Sequence, residues 1–351
     1  MEYKLMVKRL ALVSMVMASA ASAQTSRVTP ADVEDHSGEP LNRFGINYRA
    51  GFDITARFKK VGGYKSPLNI DPATGAAQYD DGFIGVDSSG NLGDETQFWG
   101  YTKASQYQGD TIVMSSSSSL ANGVSKSRED DPQQGLELTY SRQLGRGEKT
   151  MWGIEAAFNY TDVTINDHGT IYGDANTARN AYSLGGNTPL PPQLPPAQLP
   201  NYPLISTIPI QLSPITVANG AVTTGSRSFD ANIFGIRLGP YWEIPMNKRF
   251  SLLLSSGLSV LYVSSDFKYH ESTSVPGSAS QPRSGSGHHN EFLAGSYVGG
   301  NIVYAVSKSV NVSIGAQYQA AGHYSQTENG EKVVLDLGQS YFLTVGLGYS
   351  F

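Results

Sequence analysis

Apolar residues alternate with polar or small residues over stretches longer than a strand of a water-soluble protein needs. Over residues 44–58 every even position is apolar or aromatic, whereas the odd positions carry glycine, asparagine, threonine or a charge. A half-buried strand keeps such alternation for about 4–8 residues. The segment therefore predicts one long strand with an apolar face and a strongly polar face.

Seven further segments repeat this alternation. They cover residues 136–141, 152–160, 228–244, 250–262, 292–304, 310–320 and 333–351. In the fourth segment the apolar phase moves from Phe229 and Ala231 to Phe234 and Ile236, which predicts a β-bulge. Eight strands are expected in total.

The connections between these segments alternate between short and long. Short ones fall at 145–149, 245–248 and 307–308, and long ones at about 60–133, 162–227, 267–290 and 324–332. Short turns at one rim and long loops at the other are typical of outer-membrane barrels, with the turns in the periplasm. The prediction is an all-β fold, an antiparallel transmembrane β-barrel of eight strands with four long extracellular loops.

This topology predicts an aromatic girdle at each membrane interface. The periplasmic girdle would contain Phe44, Tyr140, Trp152, Trp242, Phe250, Tyr304, Tyr349 and Phe351. The outer girdle would contain Tyr160, Phe229, Tyr262, Phe292 and Tyr341. The topology is derived only from the spacing of the segments. The position of these aromatic residues at the two predicted interfaces therefore supports it independently.

The N-terminal segment has the pattern of an export signal. Lys4, Lys8 and Arg9 precede an apolar stretch over 10–20, and 21–23 is a small-residue cleavage site. Cleavage is expected between Ala23 and Gln24. The alternative, a membrane anchor, needs about 20 apolar residues. The predicted organisation is a signal peptide over 1–23, a periplasmic segment over 24–40 and the barrel over 41–351.

Composition excludes some functions. The chain has no cysteine, so disulfides and thiolate metal sites are excluded, and its net charge of −5 gives no support for nucleic-acid binding. Only 39% of its residues are hydrophobic, with 38 glycines and 20 tyrosines. A soluble secreted β-protein has such a composition, but so has a barrel whose strands mix lipid-facing and lumen-facing residues.

The last residues carry a resemblance to a known class of proteins. Tyr349 and Phe351 at alternate positions resemble the C-terminal signature that the barrel-assembly machinery recognises in bacterial outer-membrane proteins. Together with the signal peptide, they make the mature chain similar to the small eight-stranded barrels of the OmpA-like superfamily. The resemblance implies insertion in the bacterial outer membrane and contact with its lipid and lipopolysaccharide. It implies no cofactor.

Two loop segments invite a functional interpretation. Residues 189–214 contain nine of the 18 prolines, either as an exposed arm for a partner or, as we favour, as a variable and partly disordered insertion. In the first loop, residues 87–90 predict a hairpin turn or a short lid, and whether this loop adds a hairpin to the barrel stays open. Asp80, Asp81 and Asp87 do not match the spacing of a calcium loop.

Histidine offers a route to catalysis or metal binding. His288, His289 and Glu291 lie across the third loop from His270 and Glu271. They could converge on a metal or act beside a serine, as in barrel enzymes that act on lipid A or peptides. Because no further motif supports this, we favour solvated histidines, and the prediction is a non-enzymatic protein without catalytic residues or metal.

The polar face of the strands predicts a charged lumen. The inward charges would be Arg43, Arg49, Asp53, Arg57, Glu137, Glu155, Arg237 and Glu243. An eight-stranded barrel is just wide enough for side chains to fill, so paired charges would plug it. We therefore expect a structural or surface-interaction role. The alternatives are a narrow pore for ions or small solutes and an envelope enzyme.

Overall fold

The computed structural model describes residues 41–194 and 202–351. Within them the chain forms twenty strands and one 3₁₀ turn, Ala104–Gln106. The strands are β1 (Asn42–Phe52), β2 (Thr55–Val61), β3 (Ala77–Gln78), β4 (Gly82–Ile84), β5 (Glu95–Thr96), β6 (Trp99–Tyr101), β7 (Tyr107–Gln108), β8 (Thr111–Ser119), β9 (Gly123–Val124), β10 (Gln133–Arg146), β11 (Met151–Asp167), β12 (Ile171–Ser183), β13 (Ile205–Ser206), β14 (Ile210–Pro245), β15 (Phe250–Ser274), β16 (Gln281–Ala305), β17 (Val310–Ala320), β18 (His323–Glu328), β19 (Glu331–Asp336) and β20 (Ser340–Ser350). The signal peptide and the segment 24–40 lie outside the described residues.

Eight of these strands close into a ring. The order is β1, β10, β11, β14, β15, β16, β17 and β20, and β20 pairs again with β1. Every pairing is antiparallel. Backbone hydrogen bonds between Asn42 and Phe351, at 2.9 and 3.1 Å, complete the closing pair. The predicted eight-stranded antiparallel barrel is therefore confirmed.

The exterior of the ring carries an apolar band. Ile46, Ile154, Ile236, Leu258 and Leu347 are each between 47% and 68% exposed. Such a surface suits hydrocarbon and not water, because a lipid-facing strand turns its apolar residues outward. No helix among the described residues is long and apolar enough to cross a membrane.

Aromatic rows border this band on both sides. At the periplasmic side, Phe44 pairs with both Tyr140 and Tyr349, Trp152 with Trp242, and Phe250 with Tyr304. At the outer side the row runs through Tyr160, Phe234, Tyr262 and Phe292 on four neighbouring strands, and Tyr318 pairs with Tyr341. These rows mark the two membrane interfaces.

Phe229 corrects the predicted outer girdle, because it is fully buried and points into the molecule. The pairing of β14 with β11 runs without a break from Glu243 to Arg227, so the predicted bulge is absent. Above Phe234 the polarity of the two faces reverses: Asp230 and Asn232 point outward, and Phe229 points inward. Lipid surrounds the lower part of the strand and water the upper part, so the strand keeps its register while its apolar face changes sides.

The predicted first strand is also interrupted. β1 ends at Phe52, and Asp53 adopts the left-handed backbone with φ of 60° while its N–H donates to Asp131 Oδ2 at 2.8 Å. Aspartate tolerates this conformation better than most residues. The chain then turns inward, so that Ala56 and Phe58 of β2 are completely buried.

The upper parts of three strands form an extracellular wall, defined here as residues 222–233, 263–274 and 281–291. Across the interior from it lies an inserted sheet, composed of β18, β19, β2 and β9. Phe58 packs on Phe267 with ring centroids 5.8 Å apart, and Tyr324 packs on Phe229 at 6.0 Å. The wall and the inserted sheet therefore enclose an apolar core above the membrane.

Several expected loops are largely strand. The segment 267–290 consists mostly of β15 and β16, joined by residues 275–280, and much of 162–227 belongs to β11, β12 and β14. In the first loop, β8 pairs with β12, which pairs with the upper part of β14, outside the ring. The sequence pattern did not indicate these strands, because their outward positions face water above the membrane and are therefore polar.

Candidate functional site

The membrane-level interior holds three arginines and three glutamates, all predicted from the sequence. They are Arg43, Arg49, Arg237, Glu137, Glu155 and Glu243. Except for Arg43, each is at most 7% exposed. Because they project from β1, β10, β11 and β14, the barrel wall itself positions them.

Arg237 occupies the middle of this network. Its Nη2 lies 2.8 Å from Glu137 Oε2, and its Nη1 lies 3.9 Å from Glu155 Oε1. Its guanidinium carbon also lies 4.3 Å from the centroid of the Tyr297 ring on β16, two strands away around the ring. Arg237 is therefore a buried arginine held by two acids and an aromatic face, and it occupies much of the interior at this level.

Arg43 closes the periplasmic side. Its Nη2 lies 3.0 Å from Glu243 Oε2, so the pair links β1 to β14 across the interior. Ser251 donates a hydrogen bond to the same carboxylate. Arg43 keeps 25% of its side chain exposed and therefore stands at the mouth.

Arg49 forms a septum on the extracellular side of the network. It donates to Gln319 Oε1 at 2.8 Å and lies 3.5 Å from Glu137 Oε2. Its guanidinium carbon lies 3.5 Å above the centroid of the Phe342 ring. The apolar core begins beyond this septum, since Ile54, Ile233 and Leu337 line its far side.

Little space remains inside. A cavity of about 50 Å³ lies among the charges, and a second of about 10 Å³ lies beside Arg49. One water needs about 10–15 Å³ by this measure, so the larger cavity has room for only a few. The interior is packed with side chains along the membrane-level part of the described barrel.

Two predicted lumen charges lie elsewhere. Asp53 and Arg57 are exposed and outside the charge network. The bend at Asp53 is the physical reason, because it ends β1 and carries β2 into the inserted sheet, where alternate positions face either the apolar core or solvent.

A second charge cluster, which the sequence analysis missed, lies between the extracellular wall and the inserted sheet. Arg227 Nη2 lies 2.7 Å from Glu271 Oε2, and its Nη1 lies 3.3 Å from Asp167 Oδ2. Arg283 Nη1 lies 3.4 Å from Glu331 Oε1. The alternation of β15, with Phe267 and Tyr269 inward, could have indicated that Glu271 is inward too.

Glu331 and Glu271 form a buried acid pair in this cluster. Burial, together with the neighbouring Glu271 carboxyl group, holds the pKa of Glu331 well above its ordinary range. The Arg283–Glu331 ion pair joins the tip of the β18–β19 hairpin to the wall, and burial beside Glu271 favours the protonated form of the Glu331 carboxyl group.

The histidines do not converge. His288, His289 and His270 are exposed, and His288 Nδ1 lies 3.5 Å from Asp266 Oδ1. Among residues 41–194 and 202–351, no three acids or histidines form a group that could hold a metal. Asp80 and Asp81 instead accept hydrogen bonds from the backbone of Ser117 and Ser115.

The first two loops pack together above the barrel. Trp99 is completely buried, donates to the carbonyl of Pro203 at 2.7 Å and packs on Tyr202 with ring centroids 5.0 Å apart. Tyr101 donates to the carbonyl of Leu190 at 2.6 Å. We name this cluster the loop cap; its buried residues are Ala77, Tyr79, Ile84, Trp99, Tyr101, Ile112, Met114, Tyr182, Leu184, Tyr202 and Ile205. Tyr202 and Ile205 are therefore an ordered part of the proline-rich segment 189–214, of which residues 195–201 lie outside the described part of the chain.

The remaining predicted residues lie at the ends. Tyr349 and Phe351 face outward at the periplasmic rim, with ring centroids 6.1 Å apart. Their role as an assembly signal is a prediction that the geometry leaves untested. Ala23 and Gln24, the predicted cleavage site, lie outside the described part of the chain.

Comparisons with known proteins give likenesses in fold. No family model matches the chain, and no curated protein matches its sequence. The attachment invasion locus protein Ail of Yersinia pestis is 10% identical, with 89% of this chain and 99% of that chain covered and a TM-score of 0.30. The outer membrane protein OprG of Pseudomonas aeruginosa is 11% identical, with 90% of this chain and 98% of that chain covered and a TM-score of 0.32. The outer membrane protease OmpT of Escherichia coli is 10% identical, with 88% of this chain and 96% of that chain covered and a TM-score of 0.33.

The ring itself carries the conclusion on location. A closed barrel satisfies every backbone group internally, which a membrane-spanning sheet requires. With its apolar band and two aromatic rows, this chain is an eight-stranded β-barrel protein of the bacterial outer membrane.

Proposed function

We propose that this protein is a non-conducting, non-enzymatic barrel that anchors an ordered extracellular structure at the cell surface. The observation that carries the proposal is the filled interior, in which Arg49, Phe342 and Gln319 separate the charge network from the apolar core. A channel needs a continuous wet path, and an eight-stranded barrel leaves little room for one. The role is therefore structural support and surface contact.

The extracellular structure supports the same proposal. The loop cap and the inserted sheet each have buried aromatic residues, which loops without a fixed conformation cannot provide. Surface loops that carry binding residues on a rigid scaffold are common among recognition proteins. Among the described residues, the exposed His270, His288 and His289 belong to no metal-binding group, which favours a binding role over an enzymatic one.

Planar-bilayer recording tests the non-conducting role. The refolded protein should insert without discrete conductance steps in 1 M KCl. Regular steps would overturn the proposal and favour the second candidate, a narrow pore. The polar 50 Å³ cavity is the observation in favour of that candidate. A lipid A mass spectrum that changes with the protein would instead favour an envelope enzyme.

Limited proteolysis on intact cells tests the ordered cap. The wild-type protein should resist cleavage, whereas Trp99→Ala should expose the first two loops, because Trp99 joins the segments around Pro203 and Tyr101. Leu92→Ala is the matched control, since Leu92 is 83% exposed. Equal cleavage of all three proteins would contradict an ordered cap.

A further inference from the structure

The larger cavity inside the barrel is lined by several hydrogen-bond donors. Its volume is about 50 Å³, and it lies among the paired charges on the periplasmic side of the Arg49 septum. Arg43, Arg237, Asn47 and Asn301 are among the residues that line it. The donors that these four side chains leave unused indicate what the cavity can bind.

Two guanidinium groups at the cavity each have one N–H group without an acceptor. Arg43 pairs through Nη2 with Glu243, and Arg237 pairs through Nη2 with Glu137. The Nε atom of each arginine is buried and has no hydrogen-bond partner among the described residues. Arg237 is only 3% exposed, so its Nε–H is shielded from bulk water. In the described part of the barrel, no oxygen of Glu137, Glu155 or Glu243 is buried without a partner.

The two asparagines add further donors. Ser313 Oγ donates to Asn47 Oδ1 at 3.5 Å, and Thr344 Oγ1 donates to Asn301 Oδ1 at 3.3 Å. Because hydroxyl groups donate to both amide oxygens, the two NH₂ groups are available to the cavity. All four of these residues line it. The cavity wall therefore offers more free donors than free acceptors.

A surplus of donors favours a ligand that only accepts hydrogen bonds. A water molecule accepts hydrogen bonds but also brings two O–H groups, and a buried O–H group without an acceptor is costly. A halide ion accepts on every side and donates none, and hydrogen bonds that involve an ion are the stronger ones. One water needs about 10–15 Å³ by the measure used for this cavity. Chloride is only slightly larger than water, so it fits together with one or two waters.

We propose that this cavity binds chloride, or another monovalent anion of similar size, beside Arg43, Arg237 and Asn301. The ion enters from the periplasm, because Arg43 keeps 25% of its side chain exposed at that mouth. It does not pass further, since the Arg49 septum closes the interior above it. The inference deepens the proposed non-conducting role and rests on it. Because the three arginines and three glutamates balance in charge, binding should be weak.

Urea unfolding of the refolded protein in lipid vesicles tests this binding. Potassium chloride is exchanged stepwise for potassium gluconate at constant ionic strength, because gluconate is too large for the cavity. A ligand that binds only the folded state stabilises it, so the unfolding equilibrium constant should fall by up to about tenfold for each tenfold rise in chloride. Bromide should replace chloride. A midpoint that is the same in chloride and gluconate would overturn the inference.

Gly299→Ala tests the position of the ion. Gly299 lines the cavity on β16, and a Cβ atom there would lie 3.5 Å from the carbonyl oxygen of Ala316 and 3.6 Å from Ser255 Oγ. These are ordinary contact distances, so the variant should fold. Its methyl group takes space from the ion, and the dependence of the midpoint on chloride should therefore fall to less than half.

Gly300→Ala is the matched control. Gly300 is the next residue on β16 and faces outward, where a Cβ atom would lie 3.4 Å from Leu254 Cδ2. This variant should keep the chloride dependence of the wild type. An equal chloride dependence in all three proteins, or an equal loss in both variants, would overturn the inference.

A crystal grown in bromide gives a readout that needs no substitution. An anomalous peak beside Arg43, Arg237 and Asn301 is expected, and no peak in the cavity would overturn the inference. Failure of the non-conducting role appears separately, as conductance steps in planar bilayers.

Discussion

The guanidinium carbon of Arg49 lies 3.5 Å above the centroid of the Phe342 ring, so a cation from β1 covers an aromatic face from β20. These two strands close the ring, and the contact divides its interior. Below it, charges are paired in a narrow polar space; above it, the interior is apolar. This is the arrangement of a membrane barrel joined to the core of a soluble β-protein.

The charge network predicts a graded effect on stability. Glu137→Ala should destabilise the barrel by about 3–5 kcal/mol, because it leaves both Arg49 and Arg237 buried without this partner. Glu155→Ala should cost less, since Glu155 lies 3.9 Å from Arg237. Urea unfolding in lipid vesicles measures both. Glu148→Ala in an exposed turn is the control, and a wild-type midpoint in Glu137→Ala would indicate a hydrated interior.

The reversal of polarity along β14 predicts that two phenylalanines on one strand differ. Phe229→Ala should cost about 3–5 kcal/mol, because it leaves a cavity in the apolar core. Phe234→Ala should cost about 1.5–3 kcal/mol at most, since lipid fills the space that the ring leaves. Unfolding free energies in vesicles compare the two, and equal losses would contradict the reversal.

The acid pair predicts a pH dependence with a defined sign. Glu331 has a folded-state pKa above its unfolded value near 4.3, so the folded state binds more protons above that pH. Stability of the wild type should therefore fall as pH rises from about 5, by up to about 1.4 kcal/mol per pH unit. Glu331→Gln keeps the group neutral and should flatten this slope.

The groups that face Glu331 are Glu271 and Tyr269 of β15, Arg227 of β14 and Arg283 of β16. Denaturant unfolding at pH 6 and pH 8 measures the effect in Glu331→Gln and in Glu148→Gln as the control. An identical slope in the wild type and Glu331→Gln would contradict a raised pKa of Glu331 in the folded state.

Phe351 predicts a separation between assembly and stability. Phe351→Ser should lower the amount of protein in the outer membrane if Tyr349 and Phe351 are read by the assembly machinery. The purified variant should still refold, because the closing hydrogen bonds to Asn42 belong to the backbone. Quantified membrane fractions and refolding gels measure the two effects. Normal cellular levels would contradict the signal, and failed refolding would show that the ring is needed for stability.

The membrane-level barrel was predictable because lipid imposes one rule on every strand. Outward residues must be apolar, so Ile46, Ile154 and Leu347 mark their strands, and the intervening charges Arg49 and Glu137 must point inward. The six interior charges follow from that alternation alone. Their individual pairings do not, since register decides which side chains meet across the ring.

The extracellular part was less predictable because water replaces lipid there. The outward residues Lys268 and His270 are polar, so β15 beyond Tyr262 had the composition of a loop. In this part of β15 the apolar residues are the inward ones, Phe267 and Tyr269. The apolar positions therefore alternate in the opposite phase to those at membrane level. Glu271 and Glu331 meet through the packing of two sheets that are distant in sequence, which no local pattern indicates.

The change of polarity directly above the outer aromatic row also determines how deeply the protein sits. Asp162 follows Tyr160 on the outer face of β11, and Asn232 and Asp230 follow Phe234 on β14. A barrel that sank by one or two residues would push carboxylates into hydrocarbon, and one that rose would expose apolar rings to water. Displacement of the barrel along the membrane normal is therefore unfavourable in both directions. A thicker or thinner bilayer would have to deform around this protein.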